Sequence, residues 1–162
     1  MKKTHKFGVE VPKTVKEAKE PDQRNGDTKW TDSISKEMTN VRVAFDILKE
    51  GIRAPIGHKQ IKCHLIFDVK MEDFMHNARL VAGGHMTDTP KCMNYSSVVG
   101  RGTVRIALTI VTLNKLQVKA GDVMNAYVTA PCSEDIWCIL GAEFGADQRK
   151  KAIIVRALYV LK

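Results

Sequence analysis

The chain has no Cys-x-x-Cys pair, no Asp-Asp dipeptide and no apolar run approaching the ~18 residues of a membrane span. Each absence removes a class of function. Cys63, Cys92, Cys132 and Cys138 are scattered, and no histidine stands at finger spacing from them, so a structural zinc site has no ligand pattern. A reduced, intracellular chain is the simpler reading of those cysteines. His58, His64, His76 and His85 do not pair at metal-ligand spacing either and read as surface or turn residues. The N-terminus is charged but is followed by no apolar segment of the kind that makes a secretory signal. No internal repeat is visible. The expectation is a soluble protein without a membrane segment.

What is present is enough for a folded domain. At 162 residues and 44% hydrophobic content the chain suits one domain, or a large part of one, with a real core. A net charge of +8 and a pI near 9.4 favour a polyanionic partner, as supporting evidence only. Residues 1–29, rich in Lys, Glu, Pro, Asn and Gly, read as a flexible basic N-terminal arm. A first helix is announced by Trp30-Thr31-Asp32-Ser33, with Asp32 or Ser33 as cap. It continues through Ile34, Met38, Val41, Phe45 and Leu48 to a stop at Gly51. Ile61, Cys63, Leu65, Phe67 and Val69 then alternate with Lys62, His64, Ile66, Asp68 and Lys70, which predicts a half-buried strand. A second strand over 79–82 follows the polar turn region around Met71 to Asn77, so the two form a β-hairpin closed by Gly83-Gly84 and decorated by basic residues. After a polar loop over 86–97, a second helix is expected, capped by Thr103 and carrying Val104, Leu108 and Val111 on one face. A strand over 134–140 and an apolar segment over 152–161, helical or extended, complete the pattern. The fold class is therefore α+β.

The most informative segment is Asp122-Val123-Met124-Asn125-Ala126-Tyr127. Leu116, Val118, Ala120 and Asp122 alternate with Gln117, Lys119, Gly121 and Val123, a period of two that predicts a strand with Asp122 at its end on the apolar face. An unpaired carboxylate there is costly, and a divalent cation would relieve it. The competing possibility is a strand-end carboxylate that caps the turn from Met124 to Val128. Gly121 weakens a strand but leaves room for close approach of a metal.

From Trp30 to Lys162 the order of local motifs resembles the reverse transcriptase of copia-type long-terminal-repeat retrotransposons. The resemblance rests on Trp30 with Lys36-Glu37-Met38, on 78–85 (Ala-Arg-Leu-Val-Ala-Gly-Gly-His), on Tyr95-Ser96-Ser97-Val98-Val99 and on 104–108. It continues through Asp122 to Tyr127, Ala130-Pro131, Ile136-Trp137 and 157–162 (Ala-Leu-Tyr-Val-Leu-Lys). Residues 30–162 would then be a partial reverse transcriptase domain: a fingers subdomain of helices and an antiparallel hairpin, leading into the first part of a palm sheet. Residues 1–29 would be the segment that precedes it.

The resemblance implies RNA-directed DNA synthesis by two-metal phosphoryl transfer, with Mg2+ or Mn2+ as cofactor. Asp122 would be the first catalytic carboxylate and a metal ligand, with the Val123 carbonyl as a further oxygen ligand. Tyr127 would lie under the nucleotide sugar and select deoxynucleotides, unless it is simply a core aromatic. Arg79 would bind triphosphate oxygens, unless it is a solvated strand residue. Lys59, Lys62 and Lys70 would contact template backbone, although each also suits a solvated face. Implied partners are an RNA template, a DNA primer, deoxynucleoside triphosphates and the missing palm segment. The implied place is the cytoplasm or retrotransposon particles.

The sequence departs from the family pattern at three points. Asn77 stands where the family usually has Lys, Val160 where it has Gly, and the aromatic-x-Asp-Asp hairpin that completes the site is absent from these 162 residues. The expectation is a fragment inactive by itself, because one carboxylate holds two metals poorly. The alternatives are a non-catalytic basic module for RNA or an RNA–DNA hybrid, and a decayed transposon remnant. An exposed palm edge beside Asp122 would favour self-association.

Overall fold

The structure, a computed structural model, describes residues 4–83, 98–121, 123 and 125–159. It is a mixed α and β molecule whose chain divides into two compact units, one of Met1–Asp88 with Asn125–Lys162 and one of Thr89–Met124. Among the described residues no helix is long and apolar enough to cross a membrane.

The larger unit begins where a flexible arm was expected, and the expectation is corrected. Strands β1 (Thr4–Lys6) and β2 (Val9–Val11) form a hairpin, followed by helix α1 (Val15–Asn25). The Thr14 hydroxyl accepts from the Glu17 N–H at 3.1 Å, while the Glu17 carboxylate accepts from the Lys13 N–H at 3.0 Å, so two orphan donors are satisfied reciprocally. The helix runs through Pro21, buries Ala18 completely, and ends at Gly26, whose φ of 69° is open to glycine at little cost. Buried Ala18 and Pro21, with Val9, Val11 and Val15 packed against the core, hold this segment in place of a continuous apolar helix face.

Helix α2 (Lys29–Val41) is capped from outside its own sequence. Neither Asp32 nor Ser33 caps it. The Asp22 carboxylate, buried on α1, accepts from the N–H groups of Trp30 at 3.1 Å and Thr31 at 2.9 Å and from the Thr31 hydroxyl at 2.8 Å. Burial acts to raise the Asp22 carboxyl, but the Thr31 and Trp30 bonds, assisted by His76, outweigh it and hold the group below the ordinary carboxylate range. The helix also stops ten residues short of Gly51. A 3-10 turn over Arg42–Ala44 leads into strand β3 (Phe45–Ile47), which pairs antiparallel with β8 (Lys151–Ile154). Phe45 and Leu48 kept the helical period, yet the Phe45↔Ile154 pairing and a bond from the Leu48 N–H to the Lys151 carbonyl make the chain extended there.

Strand β4 (Lys59–Ile61) and β5 (Cys63–Val69) share the expected alternation, with Ile61, Leu65, Phe67 and Val69 buried. They belong to different sheets. β5 pairs antiparallel with β6 (His76–Ala82) in a register of Leu65↔Leu80 and Ile66↔Arg79. The hairpin turns between Lys70 and Met75, whose ends bond at 3.0 Å, in the polar stretch expected to turn, so the closure expected at Gly83 is corrected. Gly83 instead lies at the open end, where its N–H bonds to the Lys62 carbonyl. β4 runs parallel to β7 (Ile136–Ile139), giving a mixed sheet in the order β3-β8-β7-β4. The segment after Lys151 is extended: β8 is followed by bridges joining Arg156 to Pro131 and Tyr159 to Val81. One core, built on Trp30, Ile61, Leu80, Ile136, Leu140, Ile154 and Leu158, underlies both sheets.

The smaller unit contains helix α3 (Arg101–Leu113). Gly100 occupies its N-cap position without a side-chain bond, and Thr103 lies inside the first turn, so the expected Thr103 cap is corrected. Residues 116–121 form no strand, in contrast to the expected alternating one. Alternation makes a strand only where another strand supplies hydrogen bonds, and among the described residues none pairs with this stretch. The loop expected over 86–97 lies outside the described residues.

Candidate nucleic-acid interface

One face of the β5–β6 hairpin exposes His64, Ile66 and Arg79, with Ile66 opposite Arg79, while Val81, opposite His64, is buried. Arg79 is exposed, and its guanidinium lies 5.5 Å from the centre of the Tyr159 ring, within cation–π range. The strand that carries it is held along its outer edge. The Ser33 hydroxyl accepts from the Ala78 N–H at 2.7 Å, the Glu37 carboxylate from the Leu80 N–H at 2.8 Å, and the Tyr159 carbonyl from the Ala82 N–H at 3.1 Å. Ser33 and Glu37 are four residues apart on α2, so one face of the helix meets alternate donors of one strand. Burial raises the Glu37 carboxyl above its usual value, against the lowering effects of the Leu80 N–H and the Arg79 charge.

Asp68 lies on the same hairpin, and Lys6 of β1 reaches its carboxylate at 2.5 Å. The Lys6 bond holds Asp68 below the usual carboxylate range against the opposing effect of burial, with the Val69 N–H and the charges of Lys6 and Arg79 adding to it. Arg79 is thus flanked by two carboxylates and one aromatic face. This arrangement fixes a cation on an exposed strand without neutralising it in a direct ion pair among the bonds described.

The remaining sequence candidates are dispersed. Lys62 is exposed at the β4–β5 junction, two residues beyond Gln60, and Lys70 is exposed where the hairpin turns. Lys59 opens β4 opposite Ile136. Val123 is exposed and outside any helix or strand. Asp122 lies outside the described residues, and Tyr127 falls in the short helix α4 (Ala126–Thr129) with its side chain outside the description. The turn into α4 passes through Asn125 at a left-handed φ of 54°. Among the described residues no group of three His, Cys, Asp or Glu side chains converges as a metal site, so they supply no cage for the implied Mg2+ or Mn2+.

Ser33, Glu37, Tyr159 and Asp22 shape this region, and none of them was read from the sequence as a contact of the hairpin strand or, for Asp22, as the cap of α2. The i, i+4 spacing of Ser33 and Glu37 was a readable signal for a shared helix face. Their role as acceptors for a strand was not, since it depends on a partner more than 40 residues away. No protein-family model, curated protein or solved structure matches the chain.

Proposed function

We propose that the chain is a fingers and early palm segment of a copia-type reverse transcriptase, and that its own activity is to bind an RNA template or RNA–DNA hybrid through the β5–β6 hairpin. The observation that carries the reading is the meeting of two quoted segments nearly eighty residues apart. Ala78–Ala82 supplies exposed Arg79, and Ala157–Tyr159 supplies the ring beneath its guanidinium, joined by the Val81↔Tyr159 bridge. A cation over an aromatic face on a rigid strand suits phosphate oxygens and unpaired bases alike. Lys62 and Lys70 extend the basic surface at either end of the hairpin.

In this reading Asp122, the Val123 carbonyl and Tyr127 retain the roles that the resemblance assigns, with Mg2+ or Mn2+ acting where the further carboxylates of the family's site are present. The metal would neutralise developing charge on a transferred phosphoryl group. The 162 residues contain no Asp-Asp, so by themselves they do not complete that site. The setting would be the cytoplasm or retrotransposon particles. The non-catalytic binding module gains weight from one feature, the lack of a strand over 116–121 to present Asp122.

Two measurements test the proposal. Primer extension on an RNA template with Mg2+ should give no product above background; product that disappears in Asp122→Asn would overturn the incompleteness. Anisotropy titration with a labelled RNA–DNA hybrid should show salt-dependent binding that weakens in Arg79→Ala. Absence of binding, or affinity indifferent to both salt and Arg79, would sink the proposal.

A further inference from the structure

The mixed sheet has one buried face and one that meets solvent. Ile61, Cys138, Ala152 and Phe45 turn into the core, and alternation sends Gln60, Trp137, Ile153 and Asp46 to the other side in one row across the four strands. Trp137 is only half-buried there, and Lys151 of the neighbouring strand places its ammonium 5.8 Å from the ring centre. Exposed Lys62 follows Gln60 at the end of the edge strand. The contrast with the other tryptophan is sharp: Trp30 is 1% exposed and packs edge-to-face on Phe67 and His76, while Trp137 has a cation and no such ring contact among the described residues.

We infer that this outer sheet face is a second nucleic-acid contact, in which Trp137 stacks on an unpaired base and Lys151 takes a flanking phosphate. The occupant is a single strand, because an indole on an inner strand of the sheet offers a stacking surface that a paired base cannot reach. Charge complementarity favours the same occupant: the Lys151 ammonium adjoins the ring on its own face, and the chain is +8 overall. The inference rests on the reading that the chain engages nucleic acid, yet it uses a different surface from Arg79 and Tyr159.

The two tryptophans make the test direct. Titration of the full chain with oligo-uridylate and oligo-deoxythymidylate should quench the fluorescence of Trp137 and leave that of buried Trp30. Trp137→Phe should keep the affinity for the single strand and lose the quenching. Trp137→Ala should weaken single-strand binding about tenfold, or ~1.4 kcal/mol, with hybrid binding through the hairpin unchanged. Unchanged binding in Trp137→Ala together with unquenched wild type, while the hybrid still binds in an Arg79-dependent manner, would overturn this inference and leave the proposed function standing. No binding of either ligand would overturn both. A concentration-dependent blue shift without nucleic acid, accompanied by dimer in sedimentation, would assign the face to a second copy of the chain and also overturn the inference.

Discussion

At the scale of single residues, Asp22 and Glu37 are two carboxylates placed in opposite regimes. Asp22 is nearly sealed from solvent, at 4% exposure, but its three accepted bonds keep it ionised. Asp22→Ala leaves the N–H groups of Trp30 and Thr31 without their acceptor at the start of α2, and should cost about 2 kcal/mol in urea unfolding. The sign of its pH dependence follows from the lowered pKa. Its stabilisation is present above the ordinary carboxylate value and is lost as pH falls through the folded value, so the wild type should lose its advantage over Asp22→Asn below about pH 4. Glu37 is the reverse case. Its pKa is raised, so its contribution is complete at acid pH and declines as pH rises through the folded value. Glu37→Gln keeps a carbonyl acceptor for the Leu80 N–H and carries no charge to bury. Its stability relative to wild type should therefore improve between pH 4 and pH 7, and a flat or falling difference in urea unfolding would refute this account.

At the scale of elements, the outer edge of β6 shows how a hairpin is kept from pairing with another chain. Ser33, Glu37 and the Tyr159 carbonyl take the donors of Ala78, Leu80 and Ala82, which an edge strand would otherwise present to solvent. The double variant Ser33→Ala with Glu37→Ala should lose about 2 kcal/mol and elute as larger species on size exclusion, because two donors are freed on one edge. A monomeric, equally stable double variant would show that the helix merely lies alongside. Such contacts explain what was readable in the sequence and what was not. The alternation from Ile61 to Val69 was legible because one face is buried along its whole length. Its division at Lys62 was not, because the parallel partner of β4 lies some 75 residues onward in β7. Thr14-x-x-Glu17 was a legible helix start, yet Pro21 and the polar composition of the segment argued for an arm. The buried Asp22 and Ala18, the packing of Val9, Val11 and Val15 on the core and the Lys6–Asp68 bond show that the first 29 residues are largely part of the fold. The alternation over 116–121 misled for the complementary reason, since a period of two records a possible pleat and not the strand that must pair with it.

At the scale of the whole molecule, the question is whether nucleic-acid binding would come from a site or merely from a net charge of +8. The candidate residues divide on this point. Arg79 was legible through the motif around it and sits on a strand with its edge fixed, whereas Asp122, the residue that opened the functional reading, falls outside the described residues. A diffuse field and a site respond differently to the loss of one cation. If charge alone acts, Arg79→Ala and Lys16→Ala, which removes an exposed cation from the first turn of α1, should weaken hybrid binding equally and slightly. If the hairpin is the contact, Arg79→Ala should lower affinity by about tenfold at moderate salt and reduce the slope of log K against log salt by about one counterion, and Lys16→Ala should leave that slope unchanged. The same titrations carried out on both variants decide between the two. Equal slopes would reduce the interface to electrostatics without an address, while a slope lost only with Arg79 would fix the hairpin as the place where phosphate is held.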